Sequence, residues 1–81
     1  LAEVIYVDHY GNAMSGLSAD SLDKNQSISV AGQSFHYART FSEVDIDQAF
    51  WTVNSLGLVE IAVNQGSAAN RFNLQIGSAL F

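Results

Sequence analysis

Asp8, Tyr10, Asn12, Ser55, Glu60, Asn64 and Gln65, each at a strand, strand end or turn, are of types that can hold a polar ligand. The carboxylates can pair a cation, the carboxamides can donate and accept, and Tyr10 offers a flat π-face suited to a planar ring. They do not assemble into a nucleophile with its base, so no catalytic residue is assigned. Cysteine is absent, and His9 and His36 lie far apart, so no zinc spacing exists and no metal ligand is assigned. No glycine-rich phosphate loop, Gly-x-Ser-x-Gly elbow or Walker motif occurs. Each residue also has a plain structural reading. Asp8 can cap the turn Tyr10-Gly11-Asn12, Asn12 and Ser55 are natural turn residues, and Glu60 fits a solvent-facing strand position.

The elements that must position these groups are mostly strands. Glu3–Asp8 is β-branched and aromatic and stops at Gly11-Asn12. Ser18–Leu22 reads as one capped helical turn, followed by a polar loop at 23–26. Ser27–Val30 and Ser34–Ala38 flank a tight turn at Ala31-Gly32-Gln33 and predict a hairpin. Residues 41–48 are acidic and irregular. Phe50–Asn54 and Leu58–Val63 predict a second hairpin, Ser67–Phe72 a short helix with Ser67 as N-cap, and Gln75–Phe81 a last strand. Trp51 is expected in the core or at a subunit interface. Phe41 is expected in the core, with a place beside a bound ligand as the alternative. Short strands, glycine turns and little helix point to an all-β barrel or sandwich.

At 81 residues the chain makes one domain, with a hydrophobic fraction of 48% that is enough for a core. A domain of this size buries only about 60% of its unfolded surface and is marginal alone. The net charge is −5, with Lys24, Arg39 and Arg71 the only cations. That excludes a phosphate-backbone binder and argues against anionic membranes. No apolar run is long enough for a membrane span, and the lack of cysteine fits the cytoplasm. The sequence opens on Leu1 and enters a strand at once, so it reads as part of a longer chain whose exposed apolar surface meets another domain.

Three ordered stretches carry a resemblance: Val4-Ile-Tyr-Val-Asp-His-Tyr-Gly-Asn12, Asn54-Ser-Leu-Gly-Leu-Val-Glu-Ile-Ala-Val-Asn64, and Gln65-Gly-Ser-Ala-Ala69. In order and spacing the set resembles the C-terminal domain of the S-adenosylmethionine (SAM) hydroxide adenosyltransferases, relatives of the SAM-dependent fluorinase and chlorinase. The resemblance covers nearly the whole chain. It implies a closed Greek-key β-barrel of about seven strands with one or two short helical turns. Residues 1–81 would be that single C-terminal domain. The catalytic N-terminal α/β domain lies outside the sequence. The resemblance also implies a homotrimer, with each site between this domain and the N-terminal α/β domain of a neighbouring subunit.

The implied activity is SAM plus water to adenosine plus methionine, with SAM as substrate and no cofactor. This domain would form one wall of the pocket and be inactive alone. By the resemblance Asp8 pairs the cationic amino-acid end of SAM, Tyr10 lies against adenine, Asn12 meets the adenine edge, and Ser55 touches the methionine part. Asn64 and Gln65 end a strand whose free backbone groups could meet the adenine amino group, and Glu60 could stand near a cationic group. Two departures matter. Halogenating members carry Arg where this chain has Leu56, which favours the hydrolase branch. Ser15-Gly16 replaces the usual Thr-Asn, which gives some weight to an alternative: a non-catalytic SAM/adenosine-binding or oligomerisation module. An unrelated small β-barrel interaction domain is the third reading.

Overall fold

Short runs rich in apolar and β-branched residues build most of this fold. The computed structural model describes residues 2–81. Its strands are β1 (Val4–Val7), β2 (Ala13–Ser18), β3 (Ile28–Val30), β4 (Gln33–Phe35), β5 (Ala49–Val53) and β6 (Leu58–Val63), followed by the helix α1 (Ala68–Phe72). Single 3-10 turns occur at Ala19–Ser21 and Phe41–Glu43. Ser18 caps the first, and Ser67 caps α1 by accepting from the Asn70 N–H at 3.1 Å. Both caps stand where the sequence puts them.

The strands form two antiparallel sheets, one of order β1-β2-β6-β5 and one pairing β3 with β4. In β6 successive side chains face opposite sides of the sheet. Val59, Ile61 and Val63 enter the main core, packed with Val4, Ile28, Val30, Phe35, Trp51, Leu74 and Leu80. Ala62 faces the opposite way and joins a smaller cluster with Phe50 and Ala38. Trp51 is fully buried, and its indole N–H donates to the Gln26 carbonyl at 2.9 Å. It belongs to the core. A buried indole needs such a partner, and this bond ties the polar loop to β5.

The structure adds one strand to those expected, shortens another and differs in the number and closure of strands. Strand β2 was not legible, because Ala13, Ser15 and Gly16 carry little β-propensity. It nevertheless fills the space between β1 and β6. The bulge in its pairing with β6 is held by Ser15, whose buried hydroxyl donates to the Val59 carbonyl at 2.7 Å and accepts from Leu17 at 3.1 Å. The expected strand over 75–81 reduces to Ala79 and Leu80, which bridge Glu3 and Val30. A turn closed by Ser78 N–H on Gln75, with Gly77 at φ +96°, uses up the residues before them. No closed barrel of about seven strands is found among the described residues. Six strands stand in two sheets, joined by their shared core and by isolated bridges such as Tyr37 to Trp51.

The turn after β1 is pinned to α1. Gly11 is buried at φ +84°, its carbonyl accepts from Ala69 at 2.9 Å, and a Cβ there would fall 1.9 Å from the Ser67 hydroxyl. Gly57 has a similar φ of +78° but open space around it. Gly11→Ala therefore carries strain and a clash, together about 2–5 kcal/mol, whereas Gly57→Ala carries strain alone, about 1 kcal/mol. Urea unfolding of the two variants checks this. Equal losses would show that the Gly11–Ser67 approach is not a constraint.

Candidate functional site

The face of the four-stranded sheet turned away from the main core carries a groove. Phe50, Thr52, Glu60 and Ala62 rise from β5 and β6, in cross-strand pairs of Thr52 with Glu60 and Phe50 with Ala62. The loop after β1 contributes Tyr10 and Asn12, the segment before β5 contributes Phe41, and the end of β6 contributes Asn64 and Gln65. The hollow they enclose is about 680 Å³ and mainly apolar. A second hollow of about 200 Å³ adjoins it, lined by Tyr6, Asp8, Met14, Ser55 and Leu56. Asn12, Asn54 and Glu60 line both. All seven residues singled out in the sequence border this pair of hollows.

Asp8 closes its own loop. One carboxylate oxygen accepts from the Tyr10 and Asn12 backbone N–H groups, each at 2.9 Å, and the other accepts from Asn12 Nδ2 at 3.3 Å. The structural reading of Asp8 is thus realised. An ionised carboxylate only accepts, so the Asn12 amide nitrogen must face it and Oδ1 must face away. Asn12 is therefore presented as an acceptor, able to receive an N–H from a ligand in the groove. Tyr10 is 76% exposed and Phe41 60% exposed, so neither ring is core. For Phe41 this corrects the core reading, since the short 3-10 turn Phe41–Glu43 buries none of its residues.

Asn54 performs the matching task on the other side. Its Oδ1 accepts from the Leu56 and Leu58 N–H groups at 2.9 and 3.1 Å, which holds the β5–β6 turn. That orientation aims Nδ2 at Glu60, 3.3 Å from Oε1. The sequence marks Asn54 only as part of a hairpin. The Asn-x-x-Gly spacing of an Asx-stabilised turn is the signal that could have found its role. Ser55 stands exposed at the tip of this turn beside Leu56.

At the far end, the backbone of Asn64 is not free: its N–H donates to Gln48 and its carbonyl accepts from Asp47, at 3.0 and 2.8 Å. Gln65, the next residue, lines the groove and sits at φ +60°. Asn64 presents a side chain instead. Its Nδ2 donates to the Val44 carbonyl at 3.0 Å, while its buried Oδ1 has no partner among the described residues. His9 and His36 are exposed, and the His36 ring nitrogen Nδ1 lies 3.3 Å from Ser27 Oγ. No group of His, Asp and Glu side chains among the described residues could hold a metal ion.

Residues 2–81 match the family model described as the SAM hydroxide adenosyltransferase C-terminal domain. The chain is 39% identical over 82 residues to an (R)-S-adenosyl-L-methionine hydrolase of Salinispora arenicola, covering 98% of this chain and 31% of that protein. It is 35% identical over 75 residues to a hydrolase of the same name from Thermus thermophilus, covering 93% of this chain and 29% of the relative. The chain therefore spans about a third of the length of these relatives. A crystal structure of a conserved hypothetical protein from Thermus thermophilus superposes with a TM-score of 0.87 at 33% identity, over 96% of this chain and 32% of that one. One of an uncharacterized conserved protein from Thermotoga maritima gives 0.83 at 28% identity, over 98% and 34%. The chain belongs to the family of SAM hydroxide adenosyltransferase C-terminal domains.

Proposed function

We propose that the full natural chain hydrolyses SAM to adenosine and methionine, and that this domain is the wall of the pocket that holds the nucleoside. The observation that carries the reading is the family match, together with the convergence of Asp8, Tyr10, Asn12, Ser55, Glu60, Asn64 and Gln65 on two joined hollows. Relatives bear the name (R)-S-adenosyl-L-methionine hydrolase, so the R epimer at sulfur is the proposed substrate form.

The chemistry is a displacement. A water oxygen bonds to the 5′ carbon of the ribose as the carbon–sulfur bond breaks. The electron pair of that bond stays on sulfur, which leaves as the neutral thioether of methionine, and the water's extra proton goes to a base or to solvent. The sulfonium is already an activated leaving group, so the proposal needs no cofactor. The residues of this chain orient the substrate. Tyr10 and Phe41 flank the wider hollow with exposed rings, where a purine would sit. Asn12 Oδ1 would accept from the exocyclic amine. Ser55 lines the narrower hollow, where the amino-acid end would lie. Holding both ends aligns the 5′ carbon with the incoming water and keeps bulk solvent out.

The nucleophile's activating groups would come from the N-terminal α/β domain of a neighbouring subunit in a homotrimer. Tyr6 and Leu56, 55% and 70% exposed beside the narrower hollow, are apolar surface suited to such a contact. The reading places the protein in the cytoplasm. Among the described residues no helix is long and apolar enough to cross a membrane. Leu56 has no side-chain group to bind a carboxylate, which supports hydrolysis over halide transfer.

Incubated with SAM, the full natural chain is expected to release adenosine and methionine, faster from the R epimer, while the 81-residue chain releases none. Chromatography of the products checks this. Binding without turnover would favour the non-catalytic module, and 5′-halogenated deoxyadenosine formed faster than adenosine would overturn the hydrolase assignment. In the full natural chain, Asn12→Ala should weaken adenosine binding by about five- to a hundredfold and stability by about 1 kcal/mol. Calorimetric titration alongside thermal unfolding measures both. Unchanged affinity would make Asn12 a turn residue only.

A further inference from the structure

We infer that Glu60 makes the site selective for a positive charge at sulfur, so that it prefers a sulfonium over a neutral thioether. The inference rests on the SAM reading of the groove and assigns a specificity residue within it. Glu60 occupies the middle of β6, between Met14 of β2 and Thr52 of β5, on the face that carries the groove. It is half-buried and lines both hollows. Asn54 Nδ2 is its one hydrogen-bond donor among the described residues, and it reaches Oε1 alone. Asn54 cannot turn away, because its Oδ1 is held by two backbone N–H groups. The carboxylate is thus oriented, with Oε2 unpartnered among the described residues.

Among the described residues Glu60 has no ion-pair partner. Arg39, which also lines the wider hollow, is paired with Glu43 at 3.2 Å, Arg71 donates to the Asp47 carbonyl, and the Lys24 ammonium lies 5.3 Å from the Tyr37 ring centre. A half-buried carboxylate without an ion-pair partner favours a ligand that brings a cation.

The geometry selects which cation. With a nucleoside in the wider hollow and an amino acid in the narrower one, the sulfur that joins them lies at their junction, where Glu60 stands. The sulfonium loses its charge as the carbon–sulfur bond breaks. The attraction is therefore strongest in the bound substrate and fades toward the transition state and the thioether product. Glu60 should lower KM and assist methionine release without raising kcat.

Two nucleoside analogues isolate the charge. Sinefungin carries an ammonium beside the sulfur position and cannot be hydrolysed, whereas S-adenosylhomocysteine has a neutral thioether there. By calorimetry on the full natural chain, sinefungin should bind about tenfold more tightly than S-adenosylhomocysteine. In Glu60→Gln, which keeps the shape and the acceptor for Asn54, that preference should shrink to about twofold or less while adenosine affinity is unchanged. Glu60→Asp, which keeps the charge, should retain most of the preference. KM for SAM should rise in the Gln variant with kcat not falling. A wild-type protein with no preference for the cation overturns the inference, whether or not the Gln variant folds. So does a Gln variant whose preference persists, or one that weakens all three ligands equally. Wild-type protein that binds adenosine but shows no cation preference loses only the role of Glu60. Protein that binds neither adenosine nor the analogues takes down the SAM reading with it.

Discussion

Strand β6 is hydrogen-bonded on both edges, to β2 and to β5, and its two faces carry different loads. Val59, Ile61 and Val63 enter the core that holds both sheets together. Glu60 and Ala62 point into the groove. A period of two makes this split inevitable once the register is set. A slip of one residue would drive the Glu60 carboxylate into an apolar core at a cost of several kcal/mol. The same pattern that stabilises the sheet therefore fixes which side chains face a ligand. Trp51, paired opposite Ile61, holds the register from β5, and its indole bond to Gln26 extends that hold to the loop before β3.

The groove is finished by two turns built on one device. In each, an Asp or Asn at the strand end turns its side chain to accept backbone N–H groups of the residues that follow. Each turn then presents a second group in a fixed orientation. Asp8 holds the Asn12 amide so that its oxygen is outward, and Asn54 holds the Glu60 carboxylate. The structural and the ligand-facing readings of these residues are therefore not rivals. Asp8 is a turn cap, and by being one it orients Asn12. Such preorganisation lowers the entropy cost of binding, since neither side chain must be fixed when the ligand arrives.

Much of this was legible in the sequence. Leu58–Val63 and Phe50–Asn54 read as a hairpin from their β-branched and aromatic content around a glycine turn, and the Ser caps stand out by type and position. Strand β2 was not legible, because its inward residues are Ala13 and Ser15 and its weakness is compensated by tertiary contacts and one buried hydroxyl bond. The last expected strand failed at Gly77, whose positive φ turns the chain before pairing can begin. The division of the strands into a four-stranded and a two-stranded sheet depends on long-range pairings that local pattern does not encode. The exposure of Phe41 is not legible because a lone aromatic has no periodic context, nor are the backbone bonds of Asn64, because their partners, Asp47 and Gln48, are remote in sequence. The orienting role of Asn54 is hidden since its effect on Glu60 acts across a hairpin.

A crystal structure of the full natural chain with adenosine and methionine bound would test the central claim most directly. The account predicts the purine between Tyr10 and Phe41, its exocyclic amine on Asn12 Oδ1, and the methionine sulfur at the junction beside Glu60. A nucleoside bound elsewhere, or lodged in this groove without contact to Asn12 and with its sulfur-bearing end turned away from Glu60, would contradict it.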